Sequence, residues 1–287
     1  MLSTRGALIA VLTVAGLLAS CSSKSSESSR TTTTRSATTT TVALTYTAHV
    51  VGEVEVDPAY RQGLARVDAG WIFSVNDGLF ITDDALHQTT KVVPAIPAEW
   101  KARGFNHIGD VDVAKGVLYA PLEQPDYERG QQAMLTYDAA TLKYTGGLNV
   151  AQHENSFVTV DPATHIAYSM DNFDGDALLR YDIAHRWKPL RPLRLSMLLH
   201  HTQGASIANG AVWISTSDEH NDVYRVNLKT GHVDLAGQIL DPLGEGEGVD
   251  ATRLRSGGLH VMVIDPDMTK VWIEHFSTFT GSRGAPA

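Results

Sequence analysis

Five short runs of β-forming residues recur along the chain at an almost fixed interval, and each closes on a carboxylate. The runs are Trp71-Ile-Phe-Ser-Val75, Val117-Leu-Tyr-Ala-Pro121, Ile166-Ala-Tyr-Ser-Met170, Ala211-Val-Trp-Ile-Ser215 and Leu259-His-Val-Met-Val263. The closing residues are Asp77, Glu123, Asp171, Asp218 and Asp265, spaced 46, 48, 47 and 47 positions apart. A strand-filled period in the forties reads as propeller blades, each a small sheet of four antiparallel strands. The expected fold is therefore all-β, a β-propeller of five blades. Six blades would need a unit that the sequence does not contain, and a β-sandwich gives no reason for a 47-residue period.

Other parts of the unit repeat in step. A small residue opens each first strand, in Gln62-Gly63, Ile108-Gly109, Asn155-Ser156, Gln203-Gly204 and Glu247-Gly248. Third strands end on Asp138, Asp182 and Asn227, residues whose side chains close turns on their own backbone. The last unit runs out after Val271-Trp-Ile-Glu-His275, without an outer strand. The strand-like segment from Tyr46 to Val56 is left over, and it is expected to complete the last blade. Pairing the two ends closes the ring and removes the unpaired edges that an open one would expose.

The N-terminal region has a different character. Arg5, an apolar stretch from Ala7 to Leu18 and two small residues lead to Cys21, the single cysteine of the chain. That is the layout of a secretory signal peptide. Leu18-Ala19-Ser20-Cys21 is similar to a bacterial lipobox, which implies a lipid-modified Cys21 at the mature N-terminus. At about a dozen residues the apolar run is too short for a spanning helix. The expected location is the cell membrane, lipid-anchored and facing the extracytoplasmic side, periplasm or cell surface. Residues 1–20 read as the signal peptide, and 21–42 as the lipidated cysteine with a Ser/Thr-rich tether too poor in apolar residues to fold. The propeller is expected over 43–287. With a net charge of −9 and no block of Lys or Arg, nucleic acid is not an expected partner.

The repeat also makes polar residues converge. In an antiparallel blade the start of strand one and the end of strand two lie on the same side, so ring closure gathers them around one mouth. Gln62, Asn155, Gln203 and Glu247 precede the repeated small residue, and the five strand-two carboxylates belong to the same face. His107, His153, His200 and His201 lie just before first strands. Any one such residue is well explained as a turn former or a hydrogen-bond partner. A ring of like charges calls for a counter-charge, and oxygen donors of this type suit Ca²⁺. Histidines would favour Zn²⁺, but neither HExxH nor CxxC occurs.

Two local runs are denser. Asp171-Asn172-Phe173-Asp174-Gly175-Asp176 resembles part of a calcium loop without its distal bidentate Glu. In Asn106-His107-Ile108-Gly109-Asp110-Val111-Asp112, alternation puts Asp110 and Asp112 on one face. Facing the channel, His107 and Asp110 form a base with its orienter. Facing a neighbouring blade, the two acids are structural acceptors. There is no G-x-S-x-G elbow and no cysteine available as a nucleophile. Trp71, Trp213 and Trp272 lie in apolar strands and are expected between blades.

The combined pattern resembles the calcium-dependent lactonases and arylesterases of the paraoxonase and senescence-marker type. That resemblance implies a metal at the channel mouth held by Glu247, Asn155 and Asp218, with His107 as base. The family is six-bladed, so the blade count departs from it. Tyr60-Arg61-Gln62-Gly63-Leu64 is similar to a motif of plant-type glutaminyl cyclases, which are five-bladed, with Arg61 in place of Thr. Three functions follow from these readings. The mouth binds a small-molecule or protein ligand, it hydrolyses a lactone or ester with metal assistance, or it cyclises a glutaminyl substrate by acid–base chemistry.

Overall fold

The computed structural model describes residues 48–171, 174–241, 243–254 and 258–278. The signal and tether segments with Cys21 lie outside these residues, as do Tyr46, Asn172 and Phe173. The strand β1 (Ala48–Val56) comes first in the chain but belongs to the last blade.

Blade 1 holds β2 (Gly63–Val67), β3 (Gly70–Val75), β4 (Gly78–Thr82) and β5 (Gln88–Val92). A short helix, α1 (Ala98–Lys101), leads to blade 2. Its innermost strand is broken into β6 (His107–Ile108) and β7 (Asp112–Ala114), followed by β8 (Val117–Glu123), β9 (Gln132–Asp138) and β10 (Tyr144–Val150). Blade 3 has β11 (Thr159–Asp161), β12 (Ile166–Ser169) and β13 (Gly175–Asp182). Both β14 (Lys188–Pro189) and β15 (Leu193–Leu199) pair with β13. Blade 4 is β16 (Thr202–Ala208), β17 (Ala211–Thr216), β18 (Asp222–Asn227) and β19 (Val233–Gln238). Blade 5 is β20 (Glu245–Arg253), β21 (Gly258–Ile264) and β22 (Val271–Thr278), with β1 as its outer strand.

The ring closes through that outer strand: β1 pairs antiparallel with β22 from Ala48↔Thr278 to Val56↔Val271. The polar turns form as expected. Asp138 Oδ1 accepts the N–H groups of Ala140 and Thr141, and Asn227 Oδ1 accepts those of Lys229 and Thr230.

Buried apolar side chains gather in five clusters, each shared by two neighbouring blades. Ile72 and Leu79 of blade 1 meet Leu118 and Leu135 of blade 2. Tyr119 and Met134 meet Val160 and Tyr181 of blade 3, and Phe157 and Leu178 meet Val212 and Ile214 of blade 4. Trp213 and Val223 meet Val261 and Phe276 of blade 5, which returns to blade 1 through Met262 and Ile273 against Phe73 and Trp71. Each blade is thus sandwiched, and each fully buried Leu or Phe contributes roughly 1.5–3 kcal/mol. Trp71 and Trp213 sit in this packing. Trp272 departs from the expectation: it is only half-buried, with the Lys270 ammonium 5.4 Å from its ring.

On the axis one side chain touches the innermost strands of three other blades. Asp110 Oδ1 accepts the Leu64 N–H of blade 1 at 3.1 Å. Its Oδ2 accepts the N–H of Ala205 in blade 4 at 2.9 Å and of Val249 in blade 5 at 3.3 Å. The Asp110 backbone supplies the fourth link, donating to the Ser156 carbonyl of blade 3 at 2.8 Å. The repeated small residues follow from this crowding. A Cβ on Gly63 or Gly248 would stand 2.6 Å from Asp110 Oδ1, and one on Gly109 would stand 2.1 Å from the Ser156 carbonyl oxygen.

Neighbouring first strands are stitched by side chains as well. Asp112 Oδ2 accepts Val160 N–H at 2.7 Å and Thr159 Oγ1–H at 2.8 Å. Ser206 Oγ accepts Ala251 N–H at 3.0 Å, and Asp250 Oδ1 accepts Arg66 N–H at 3.2 Å. Asp110 and Asp112 are therefore structural acceptors, the second of the two roles their sequence left open.

Candidate ligand-binding site at the ring mouth

Above Asp110 the ring opens into a cavity of about 140 Å³ lined by Gln62, His107, Glu123, Tyr127, Gln203 and Glu247, with Gly109 and Ser156 between them. The elements that place these groups are the starts of first strands and the end of β8. His107 and Glu123 are direct cross-strand partners, so their side chains emerge on the same face. His107 Nε2 donates to Gln62 Oε1, which ties blade 2 to blade 1 at the rim. Glu123 Oε1 accepts the backbone N–H of Asn155, and its Oε2 accepts the Tyr127 hydroxyl at 3.4 Å.

The electrostatics are unbalanced. Burial pushes the Glu123 carboxyl up to about 7, against the opposing pull of the Asn155 N–H. Burial raises Glu247 well above the usual carboxylate range, and the nearby charges of Glu245 and Asp110 add to the shift. Burial also lowers His107, which favours its neutral form. Tyr127 is raised to about 12 by burial and by the acids beside it. No Lys or Arg lines the cavity.

Several expected site residues stand elsewhere. Asp110 lies beneath the floor, committed to three backbone N–H groups and not to His107. Asn155 is fully buried, with its Nδ2 donating to the Ala133 carbonyl at 2.7 Å and its Oδ1 facing Ser169 at 3.1 Å. Four of the five strand-two carboxylates are spent on backbone N–H groups, Asp218 and Asp265 within their own loops and Asp77 and Asp171 on other connections, 19 and 18 positions away. Asp77 accepts Ile96 N–H at 2.9 Å, Asp171 accepts His153 N–H at 2.8 Å, Asp218 accepts Asn221 N–H at 2.9 Å, and Asp265 accepts Thr269 N–H at 2.7 Å. Glu123 alone of the five lines the cavity. His153 is exposed beside Asp171, and the His201 backbone donates to Asp174.

Of the trio Glu247, Asn155 and Asp218, only Glu247 lines the cavity. Among the described residues no group of three His, Cys, Asp or Glu stands at metal-holding spacing. In the Asp171–Asp176 run the described acids face separate partners: Asp171 faces His153, Asp174 faces His200, and Asp176 faces Arg194. Tyr127 is the wall residue that sequence reasoning missed. It sits on a single 3-10 turn, Tyr127–Arg129, in a loop with no counterpart in the repeat.

No protein-family profile matches the chain, and no curated protein matches it in sequence. Among solved structures it is similar to a luciferin-regenerating enzyme at 14% identity and a TM-score of 0.49, over 77% of this chain and 79% of that one. It is also similar to the Dos1 propeller at 14% identity, TM-score 0.41, over 77% and 61% of the two chains. The Pan2 WD40 domain of Neurospora crassa is similar at 8% identity, TM-score 0.40, over 77% and 63%. Likeness at these identities concerns fold and carries no activity across.

Proposed function

We infer that the chain is a lipid-anchored, extracytoplasmic binding propeller whose mouth receives a compact cation, either an organic ammonium head or Ca²⁺. The observation that carries this reading is the pair of buried carboxyls, Glu123 and Glu247, on one small wall without a neighbouring Lys or Arg. A cation supplies the charge that burial withholds, and Gln62 and Gln203 add neutral oxygen donors.

Calorimetric titration of the purified protein with calcium chloride and with methylammonium, at pH 6 and pH 8, tests the reading. The expected result is saturable binding of one of them, tighter at pH 8 and weakened at least tenfold by Glu247→Gln. Binding of neither at both pH values overturns it. Calcium uptake selects the metal arm, and methylammonium uptake the organic one.

A second reading has its own support. A carboxyl titrating near 7 beside a neutral histidine is suited to acid–base work. Glu123 would then serve as acid or base in hydrolysing a lactone or ester, or in cyclising a glutaminyl substrate. Turnover of an aryl ester, a lactone or a glutaminyl peptide that Glu123→Gln abolishes selects this reading, and no turnover of any of the three rejects it.

A further inference from the structure

A larger cavity, about 540 Å³, opens on the face opposite the mouth, in the groove between blades 5 and 1. Its size lies within the range of small-molecule sites. Its charge runs against that of the whole chain, whose net charge is −9. Two guanidiniums, Arg66 and Arg253, line it with one carboxylate, Asp84, and with the imidazoles of His260 and His275, the latter pushed toward its neutral form by burial.

The groups are held by the ring itself. Arg66 lies over the Trp71 ring, 4.6 Å from its centroid, with a side chain only 9% exposed. The same Trp71 meets His260 edge-on at 4.9 Å, and His260 meets His275 at 4.8 Å. Behind His260 the buried Asp250 carboxylate stands 3.5 Å from its Nδ1 and is itself fixed by the Arg66 N–H and the Thr252 hydroxyl. The remaining wall is apolar, with Trp71, Leu86 and Ile273. Asp84, which pairs with the Arg66 guanidinium, has a side chain 70% exposed to solvent.

We propose that this groove is a second site, distinct from the mouth, which binds a small molecule carrying a phosphate or carboxylate on an apolar body. The ligand oxyanion replaces Asp84 beside Arg66 and reaches Arg253, while its body packs on Trp71 and Leu86. Guanidinium groups suit this geometry because their planar donors match an oxyanion in pairs. Attraction to a cationic groove on an acidic protein falls with salt.

Calorimetry on the purified protein with phenyl phosphate and with benzoate is the test. At least one is expected to bind, and comparing the two separates phosphate from carboxylate preference. Arg253→Ala is expected to weaken that binding about tenfold, and Asp84→Asn to tighten it severalfold. Both side chains are exposed, so both variants are expected to fold, and equal melting temperatures would verify this. Failure of both anions to bind, or wild-type affinity in Arg253→Ala, overturns the proposal.

Discussion

Asp110 Oδ2 accepts the backbone N–H of Ala205 at 2.9 Å, across 95 positions of sequence and across the ring axis. Blade 2 is thereby joined to a blade that is not its neighbour. The same carboxylate holds Leu64 and Val249, so a single acid acts as the hub of the ring.

Removing that hub leaves three buried amides without acceptors, each costing roughly 1–3 kcal/mol. Asp110→Ala is expected to lower the melting temperature by on the order of 10 °C in a domain of this size. Asp110→Asn should recover only part of the loss, since one carboxylate oxygen becomes a donor facing other donors. Thermal unfolding followed by circular dichroism measures both, and an unchanged midpoint in Asp110→Ala would refute the hub.

The axial glycines are expected to be intolerant for steric reasons. A Cβ on Gly248 would meet Asp110 Oδ1 and Gly63 Cα at 2.6 Å each, whereas one on Gly52 meets nothing within 4 Å. Gly248→Ala should destabilise by several kcal/mol, on the order of other overpacked cores or more. Gly52→Ala should change stability by less than about 0.5 kcal/mol, as surface substitutions do. Urea unfolding of the pair compares them directly.

The Glu123 carboxyl should make stability fall as pH rises from about 4.5 to 7. The Glu123 carboxyl titrates at 4.5 when unperturbed and at about 7 in the fold. Between those values the folded protein keeps a proton that the unfolded chain has released, so its burial is least costly below pH 4.5 and most costly above 7. Glu274, also raised to about 7, and Asp112, raised to about 6, act in the same direction. Glu123→Gln is expected to flatten the slope between pH 4.5 and 7 and to stabilise the protein at pH 8 by on the order of 2 kcal/mol. Denaturant midpoints across pH 4–8 would show this, and parallel curves for the two proteins would argue against it.

On the proposed lipid anchor at Cys21, Cys21→Ser is expected to move the protein from the membrane fraction to the soluble fraction. Fractionation followed by immunoblotting reads the outcome. Retention of the variant in membranes would contradict the lipid anchor.

What the sequence by itself determined was the periodic part of the molecule. The interval between strand-two carboxylates carried the blade count, and the unassigned strand before Val56 carried ring closure, because strand alternation and turn chemistry are local and repeat with the blade. The convergence of Gln62, Gln203 and Glu247 was legible for the same reason. Only the tertiary structure decided what the equivalent residues do. Glu123 remains in a strand opposite His107 and turns inward, while Asp218 and Asp265 close their own loops and Asp77 and Asp171 hold the backbone of other connections. Asp110 has no counterpart in the other blades, since one axis has room for one such carboxylate, and the glycines around it are small because it is there. The groove between blades 5 and 1 belongs to neither repeat unit. It forms where blade 5 packs against blade 1, and packing between units leaves no local pattern to read.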